Sequence, residues 1–226
     1  MDALLHFLRR MRHTRPRPSW SALRYFMRWR SSRRPGRTSM DDRMPWLSFP
    51  AIDFLRRAAR PGHRVFEFGG GGSTLFWADR VAEVVTVEHD AQWFAALQQA
   101  MQGARARWTA LHVPADAGDL VPQPDPAEPA HFSSSDEPSR GKNYRRYAET
   151  ILSYPDAHFD IILIDGRARP SCLALSVGKL KPGGLIAMHI SNKNLELASV
   201  VAGVAEANGL IARVYDGGDA EDDAER

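Results

Sequence analysis

An apolar run that breaks into four consecutive glycines is the feature that most restricts how this chain can fold. The run covers residues 63–68, and the glycines are Gly69–Gly72. A small-residue helix start follows, and a second apolar run then ends on an acid, Glu88, nineteen residues after Gly69. Glycines let a backbone turn sharply and approach a ligand closely, and an acid at the tip of the next strand accepts hydrogen bonds from ribose hydroxyls. The pattern therefore predicts a nucleoside pocket at the edge of a parallel sheet.

Two nucleoside ligands compete for this pattern. A dinucleotide fingerprint requires a third glycine, and Thr74 stands in its place. Glu67 lies within the first strand, where a carboxylate is costly unless something pairs with it. S-adenosylmethionine carries an ammonium and a sulfonium group, whereas NAD offers no such amine and its pyrophosphate would be repelled by Glu67. The residues therefore favour S-adenosylmethionine.

On these residues the sequence resembles the class I S-adenosylmethionine-dependent methyltransferases, and in particular a subgroup of small bacterial members. Their first motif, acid-x-Gly-x-Gly-x, is matched by residues 67–72, and the acid that closes their second strand is matched by Glu88. Three further segments continue the resemblance, which extends over roughly residues 45–215: Pro45–Ile52, Asp165–Arg169 and Leu180–Gly184.

The resemblance implies a set of cofactor contacts. Glu67 would hold the amino group of S-adenosylmethionine, directly or through water, and the amides of Gly69–Gly71 would contact its amino-acid part. Glu88 would take both ribose hydroxyls, His89 would lie against the adenine, and Asp116 is a candidate for the adenine amine. The candidate cofactor-binding residues are Glu67, Gly69, Gly70, Gly71, Ser73, Glu88, His89, Asp116 and Asp165. For the serine, helix capping is the alternative.

The candidate catalytic residues are Asp165, His189 and Arg167. Methyl transfer from a sulfonium needs donor and acceptor in line, and a hydroxyl acceptor also needs a base. Asp165 closes an apolar strand and would lie beside the methionine part of the cofactor; capping the next turn is the alternative. His189 is the best histidine candidate for the base. The guanidinium groups of Arg167 and Arg169 suit a carboxylate or phosphate on the acceptor, with an ion pair to Glu67 or Asp165 as the alternative.

A divalent metal is a further alternative at the same strand ends. His189, Ser191, Asn192 and Asp165 together resemble an incomplete metal site of catechol-type methyltransferases. The carboxylate pair of that site is missing, so we expect no metal.

Strand and helix patterns alternate from residue 45 onwards and predict an α/β fold. The expected architecture is a Rossmann-like, doubly wound, mostly parallel sheet of about six to seven strands with helices on both faces. The predicted strands are 63–68, 83–89, 107–113, 159–165, 184–190 and 210–215, and the predicted helices include 46–60, 73–79, 91–101, 171–180 and 194–208. The last strand is expected to be unusual or lost.

Residues 115–143 interrupt the alternation. They contain five prolines and the run Ser133–Ser135, which prevent a regular element. The insert follows the third strand and rises from the edge where ligands bind in such sheets. It is interpreted either as a lid over the acceptor pocket or as a passive insertion. Residues 142–147, which are basic and aromatic, would bind an anionic acceptor or form a solvated helix face.

The chain divides into an arm of residues 1–44, a domain of residues 45–215 and an acidic tail of residues 216–226. Residues 1–37 carry eleven arginines and one acid. Three interpretations of the arm stay open: aromatic side chains docked on the domain, peripheral contact with anionic lipid, and, less favoured, contact with nucleic acid. The single cysteine, Cys172, indicates a reducing compartment, and no apolar run is long enough to span a bilayer. We therefore expect a cytoplasmic protein, with peripheral contact to the membrane as the alternative.

The sequence thus predicts an S-adenosylmethionine-dependent methyltransferase acting on an anionic small-molecule or glycan acceptor. A second interpretation rests on residues 189–197, which look like a segment of spermidine-synthase-like aminopropyl transferases. A third is a non-catalytic nucleoside-fold protein that uses the arm to bind a membrane or nucleic acid. No motif names the atom that is methylated.

Overall fold

Five parallel strands form the centre of the molecule. The computed structural model describes residues 25–32, 34, 36–116, 122–190 and 197–212. The strands pair in the order β3-β2-β1-β4-β5, and every described pairing is parallel. Their bounds are β1 Arg64–Phe68, β2 Glu83–Glu88, β3 Arg107–His112, β4 Phe159–Ile164 and β5 Leu180–Met188. The predicted Rossmann-like α/β fold is therefore confirmed.

Helices connect the strands and cover both faces of the sheet. They are α1 Phe26–Ser32, α2 Ser39–Asp42, α3 Phe49–Ala58, α4 Gly72–Ala78, α5 Ala91–Ala100, α6 Arg145–Glu149, α7 Arg169–Ser176 and α8 Ala198–Ala207. On one face, Phe66 and Phe68 of β1 pack with residues of α6 and α7, including Tyr147 and Cys172. On the other face, Val65 packs with α3 and α4. Burial on both faces explains why the strands are continuous apolar runs.

The strand register brings four loop starts to one edge of the sheet. Phe68 pairs with Val87 on one side and Ile164 on the other. The ladder extends one residue further, because the backbone N–H of Asp165 donates to Phe68 (2.9 Å) and that of His189 donates to Ile164 (3.0 Å). The residues that follow β1, β2, β4 and β5 therefore meet at the carboxyl edge, where such sheets bind ligands.

Several elements differ from the predicted bounds, among them β5, which begins at Leu180 rather than residue 184. Helix α7 begins at Arg169 rather than residue 171, because Pro170 fits the first turn of a helix, where a missing N–H costs nothing. Residues 210–212, the start of the predicted sixth strand, form no strand, and Ile211 is 87% exposed, so no neighbouring strand covers it. Residues 213–215 lie outside the described part of the chain. The described residues thus contain five strands where six to seven were expected.

Part of the predicted arm packs on the domain. Tyr25 and Trp29 are buried, the Tyr25 hydroxyl donates to Asp53 of α3 (3.0 Å), and Arg28 forms an ion pair with the same carboxylate (2.9 Å). The Arg28 guanidinium also lies 4.7 Å from the centre of the Phe49 ring. Residues 1–24 lie outside the described residues. Among those described, no helix has the length and apolarity to span a bilayer.

The described part of the insert, residues 122–143, is fastened to the domain through short 3₁₀ turns at Pro129–His131 and Glu137–Ser139. Phe132 between them is buried in the core formed with α6 and α7, and its carbonyl accepts from the Tyr144 backbone N–H (2.9 Å). The insert thus packs against the helices on that face of the sheet. Whether it opens as a lid stays a prediction.

Candidate functional site

The glycine loop after β1 is shaped by contacts that leave no room for a side chain. Gly69 has a φ of +87°, and a Cβ there would lie 2.8 Å from the Gly166 Cα in the loop after β4. A Cβ on Gly70 would lie 2.5 Å from the Leu97 side chain and 2.6 Å from Thr86. The first glycine thus brings two loops into contact at the strand ends, and the second lets the loop lie flat against β2 and α5.

Polar side chains bind both backbone groups of Gly70, its N–H and its carbonyl. Its backbone N–H donates to Glu88 Oε2 (3.0 Å), and its carbonyl accepts from the Trp93 indole N–H (2.6 Å). Sequence reasoning missed Trp93, because a tryptophan in an amphipathic helix carries no signal of a partner more than twenty positions earlier.

Glu88 occupies the tip of β2, as predicted, and is only 3% exposed. Its Oε1 accepts from the backbone N–H groups of His89 (2.7 Å) and Asp90 (2.8 Å). Burial raises the pKa of this carboxyl, but His89 and the backbone N–H groups of Asp90 and Gly70 outweigh burial, so the net pKa lies below its ordinary value. Glu88 is therefore an ionised acceptor, and its Oε2, with one donor, keeps capacity for a ligand hydroxyl.

Glu67 lies beneath the loop and is fully buried. The hydroxyls of Thr74 (2.5 Å) and Thr86 (3.1 Å) both donate to Oε2, and they also accept from the Gly71 N–H and the Trp108 indole N–H, respectively. Burial raises the Glu67 pKa to about 8, against the opposite effect of these hydroxyls. The carboxyl is therefore protonated at neutral pH. Its visible role is to hold the loop through Thr74, and its contact with a ligand amine stays a prediction.

Asp165 and His189, predicted as catalytic residues, lie together at the ends of β4 and β5. His189 Nδ1 is 2.8 Å from Asp165 Oδ1. Arg169 braces the pair: it donates to the His189 carbonyl (2.7 Å), and its Nη2 lies 3.7 Å from Asp165 Oδ1. All three side chains are largely buried. A carboxylate fixes the imidazole tautomer in such a pair, so the geometry suits proton transfer through His189.

Arg167 points to the insert rather than to the acids considered as its partners. Its Nη2 lies 3.1 Å from Asp136 Oδ2. The ion pair to Asp165 foreseen as an alternative belongs to Arg169 instead. The sequence holds no signal for the pairing of Arg167, because Asp136 lies in an irregular segment.

Asp116 forms hydrogen bonds that connect the backbone after β3 to the start of α6. Its backbone N–H donates to the Asn143 carbonyl (2.7 Å), and its Oδ2 accepts from the Arg146 N–H in the first turn of α6 (3.0 Å). The contact with adenine stays a prediction. His89 lies near the rings of Tyr144 and Tyr147, with ring centroids 5.8 and 6.2 Å away.

Tyr147 is a central residue at this edge of the sheet. The sequence places it only in the basic and aromatic segment that opens a helix. It is fully buried, its ring lies 5.7 Å from that of Phe68, and a Cβ on Gly166 would overlap its hydroxyl. Its ring therefore fills the space between the loops after β1, β2 and β4. Only the fold reveals this, since α6 and β1 are far apart in sequence.

The remaining candidates are placed as follows. Ser73 is buried in the first turn of α4. Ser191 and Asn192 lie outside the described residues, as does most of the segment that resembles spermidine-synthase-like proteins. Within the described residues, no group of three or more His, Cys, Asp and Glu side chains is arranged to hold a metal ion.

Comparisons with known proteins agree with the fold. The chain matches no protein-family model and no curated protein. Among solved structures, it is similar to a methyltransferase-like protein of Silicibacter pomeroyi, with 22% identity, 76% of this chain and 85% of that chain covered, and a TM-score of 0.51.

Two further structures are more distant. The precorrin 8w decarboxylase of Methanobacterium thermoautotrophicum has 20% identity, 77% and 74% coverage of the two chains and a TM-score of 0.49. The 16S rRNA N2 G1207 methyltransferase of T. thermophilus, solved with AdoMet and guanosine, has 19% identity and a TM-score of 0.47. The alignment covers 80% of this chain but only 42% of that enzyme. What the comparisons establish is the fold: this chain has the Rossmann-like α/β fold of S-adenosylmethionine-dependent methyltransferases.

The raised pKa of Glu67 predicts a pH-dependent stability. In the unfolded chain the carboxyl titrates near its ordinary pKa of 4.5, and in the folded chain near 8. The folded state therefore binds the extra proton between these values. The stabilising contribution of Glu67 is complete below pH 4.5 and is lost as pH rises to about 8, by about 1.4 kcal/mol per pH unit.

We expect Glu67→Gln to abolish this dependence, because the amide does not titrate. Urea denaturation between pH 5 and 9 measures it, with exposed Glu149→Gln as the control for a lost carboxylate. The variant should gain stability relative to wild type as pH rises. Free energies of unfolding that stay parallel across the whole range would contradict a protonated Glu67.

Proposed function

We propose that this chain is an S-adenosylmethionine-dependent methyltransferase acting on an anionic small-molecule or glycan acceptor. The observation that carries the proposal is the position of ionised Glu88 beside the glycine loop, with Asp165 and His189 across the same edge of the sheet. The cofactor supplies an activated methyl group on its sulfonium. The protein then has to bind, align and, for a hydroxyl acceptor, remove a proton.

The residues present fit this cofactor. Oε2 of Glu88 can accept from one hydroxyl of a ribose diol, and the negative charge of the carboxylate suits a ligand without a pyrophosphate. Gly69 and Gly70 let the loop approach Gly166, β2 and α5 closely, which sets its position beside Glu88. Asp165 lies beside the loop, because Gly69 and Gly166 touch, and places a second carboxylate near the cationic end of such a ligand.

His189 is assigned as the general base for a hydroxyl acceptor. Its Nδ1 proton is donated to Asp165 Oδ1, which leaves the lone pair on Nε2. Asp165 also stabilises the imidazolium that forms when Nε2 takes the acceptor proton. Arg169 fixes both partners by its contacts with the Asp165 carboxylate and the His189 carbonyl. This arrangement supports transfer to oxygen.

The charges at the site favour methyl transfer over aminopropyl transfer. A polyamine acceptor needs free carboxylates, yet Asp165 is shared by His189 and Arg169. Arg167 adds a second guanidinium on the same loop. Both guanidinium groups of this loop are unfavourable for a polycation.

Cofactor binding tests the proposal. We expect S-adenosylmethionine, and not NAD, to bind wild type in calorimetric titration. Glu88→Ala should weaken binding by at least about tenfold, because a charge-assisted hydrogen bond to ribose is lost and the glycine loop is released. Glu83→Ala is the matched control, since it removes an acid from the opposite end of β2. Absence of S-adenosylmethionine binding to wild type, or preference for NAD, would contradict the proposal.

Removal of the base should separate binding from chemistry. With labelled S-adenosylmethionine and a panel of hydroxylated anionic acceptors, His189→Ala is expected to lower kcat by roughly 10²- to 10⁴-fold. Its affinity for S-adenosylmethionine should stay close to that of wild type. His158→Ala, just before β4 at the opposite edge, serves as the control. An unchanged kcat in His189→Ala would remove this residue from the mechanism.

A further inference from the structure

Arg167 is a partly buried cation whose hydrogen bonds are incomplete. Its side chain is only 25% exposed, and its ion pair with Asp136 uses Nη2. Its Nε–H is buried and has no hydrogen-bond partner within the described part of the chain. Burying a donor without an acceptor costs free energy, and such groups in native proteins call for an explanation.

Tyr147 carries a second unsatisfied donor next to this arginine. The residue is fully buried, and its hydroxyl has no hydrogen-bond partner among the described residues. Burial raises the Tyr147 pKa well above its ordinary value, against the smaller opposite effects of the Arg167 charge and backbone N–H. The phenol is therefore neutral and keeps its proton as a donor.

Both groups lie at the loop after β4 that also carries Asp165. Gly166 separates Asp165 from Arg167 in sequence, and the absence of a Cβ on Gly166 lets the Tyr147 hydroxyl approach. The guanidinium can only donate, and the neutral phenol has one proton to donate; the ligand atoms that satisfy such donors best are anionic oxygens.

We propose that Arg167 and Tyr147 form an oxyanion-binding subsite for the methyl acceptor, and that Asp136 of the insert occupies its arginine until the acceptor arrives. The inference rests on the proposed function and adds the chemical class of the acceptor, a carboxylate or a phosphate. It also gives the insert a role: its own carboxylate competes with the substrate for Arg167.

The ion pair between Asp136 and Arg167 is suited to replacement by an acceptor oxyanion. Its side chain is 40% exposed, and its Oδ2 is shared between Arg167 and the Ser139 hydroxyl (3.2 Å) of the same insert. A partly solvated pair of this kind contributes little to stability. An acceptor oxyanion that reaches both Nε of Arg167 and the Tyr147 hydroxyl gains two charge-compatible hydrogen bonds that Asp136 does not make.

Anion binding to the full-length chain, saturated with S-adenosylhomocysteine, tests the inference. Inorganic phosphate and acetate are titrated separately, and binding is followed by the rise in Tm. Asp136→Asn should bind one or both anions roughly fivefold more tightly than wild type, because the competing carboxylate is gone. Glu137→Gln is the matched control: it removes the same charge one residue away, from a carboxylate that pairs with exposed Arg140.

Two further variants locate the subsite. Arg167→Met should abolish anion binding, and Tyr147→Phe, which removes one oxygen and preserves the ring, should weaken it several-fold. A preference for phosphate assigns a phosphorylated acceptor, and a preference for acetate a carboxylated one. S-adenosylhomocysteine affinity should be unchanged in all variants.

The outcomes separate this inference from the proposed function. Equal anion affinity in Asp136→Asn and Glu137→Gln, or no anion binding in any variant, overturns the subsite while S-adenosylhomocysteine still binds. Loss of S-adenosylhomocysteine affinity in Arg167→Met overturns it as well, because the arginine then serves the cofactor. Failure of S-adenosylhomocysteine to bind wild type instead removes the proposed function.

Discussion

The hydrogen bond from the Gly70 backbone N–H to the Glu88 carboxylate is the interaction on which the rest of the site depends. It joins the loop after β1 to the tip of β2 and fixes the loop from one side, while Trp93 holds the carbonyl of the same glycine from the other. Gly69 then sets the loop against Gly166 after β4. One charged acceptor thus organises three strand ends into a single edge.

Two acids serve this edge in opposite protonation states. Glu88 receives backbone N–H groups and has a lowered pKa, whereas Glu67, buried under the loop with only hydroxyl partners, has a raised pKa. Environments that push the pKa values of neighbouring acids apart are a common way to divide roles between them. Here the ionised acid faces the site, and the neutral acid supports the loop from below.

The parts of this arrangement that sequence predicts are those fixed by local chemistry. Three features of the site are recognisable in the sequence: the glycines after an apolar strand, the acid that closes the next strand and Asp165 at the end of the fourth strand. They can be placed together because the carboxyl ends of parallel strands meet at one edge of the sheet. The pairing of Asp165 with His189 follows from the same rule. Asp136 and Tyr147 do not follow from it, since their positions depend on how the insert and α6 fold back over the sheet.

Burial explains the other differences. The sequence indicates that Glu67 is a strand carboxylate in need of a partner and that Arg167 is a cation on a loop, but it does not identify the partners that the structure shows. The structure turns Glu67 into the interior, towards Thr74 and Thr86, and turns Arg167 towards the insert. The partners of a side chain near a strand end depend on which helix packs over that face of the sheet. A single sequence does not specify this packing.

A crystal structure of the chain grown with saturating S-adenosylhomocysteine tests the central claim most directly. The account predicts nucleoside density over the glycine loop, with a ribose hydroxyl within hydrogen-bond distance of Glu88 Oε2 and the amino-acid end towards Asp165. Density elsewhere, or a ribose that leaves Glu88 bonded only to its backbone partners, would contradict it.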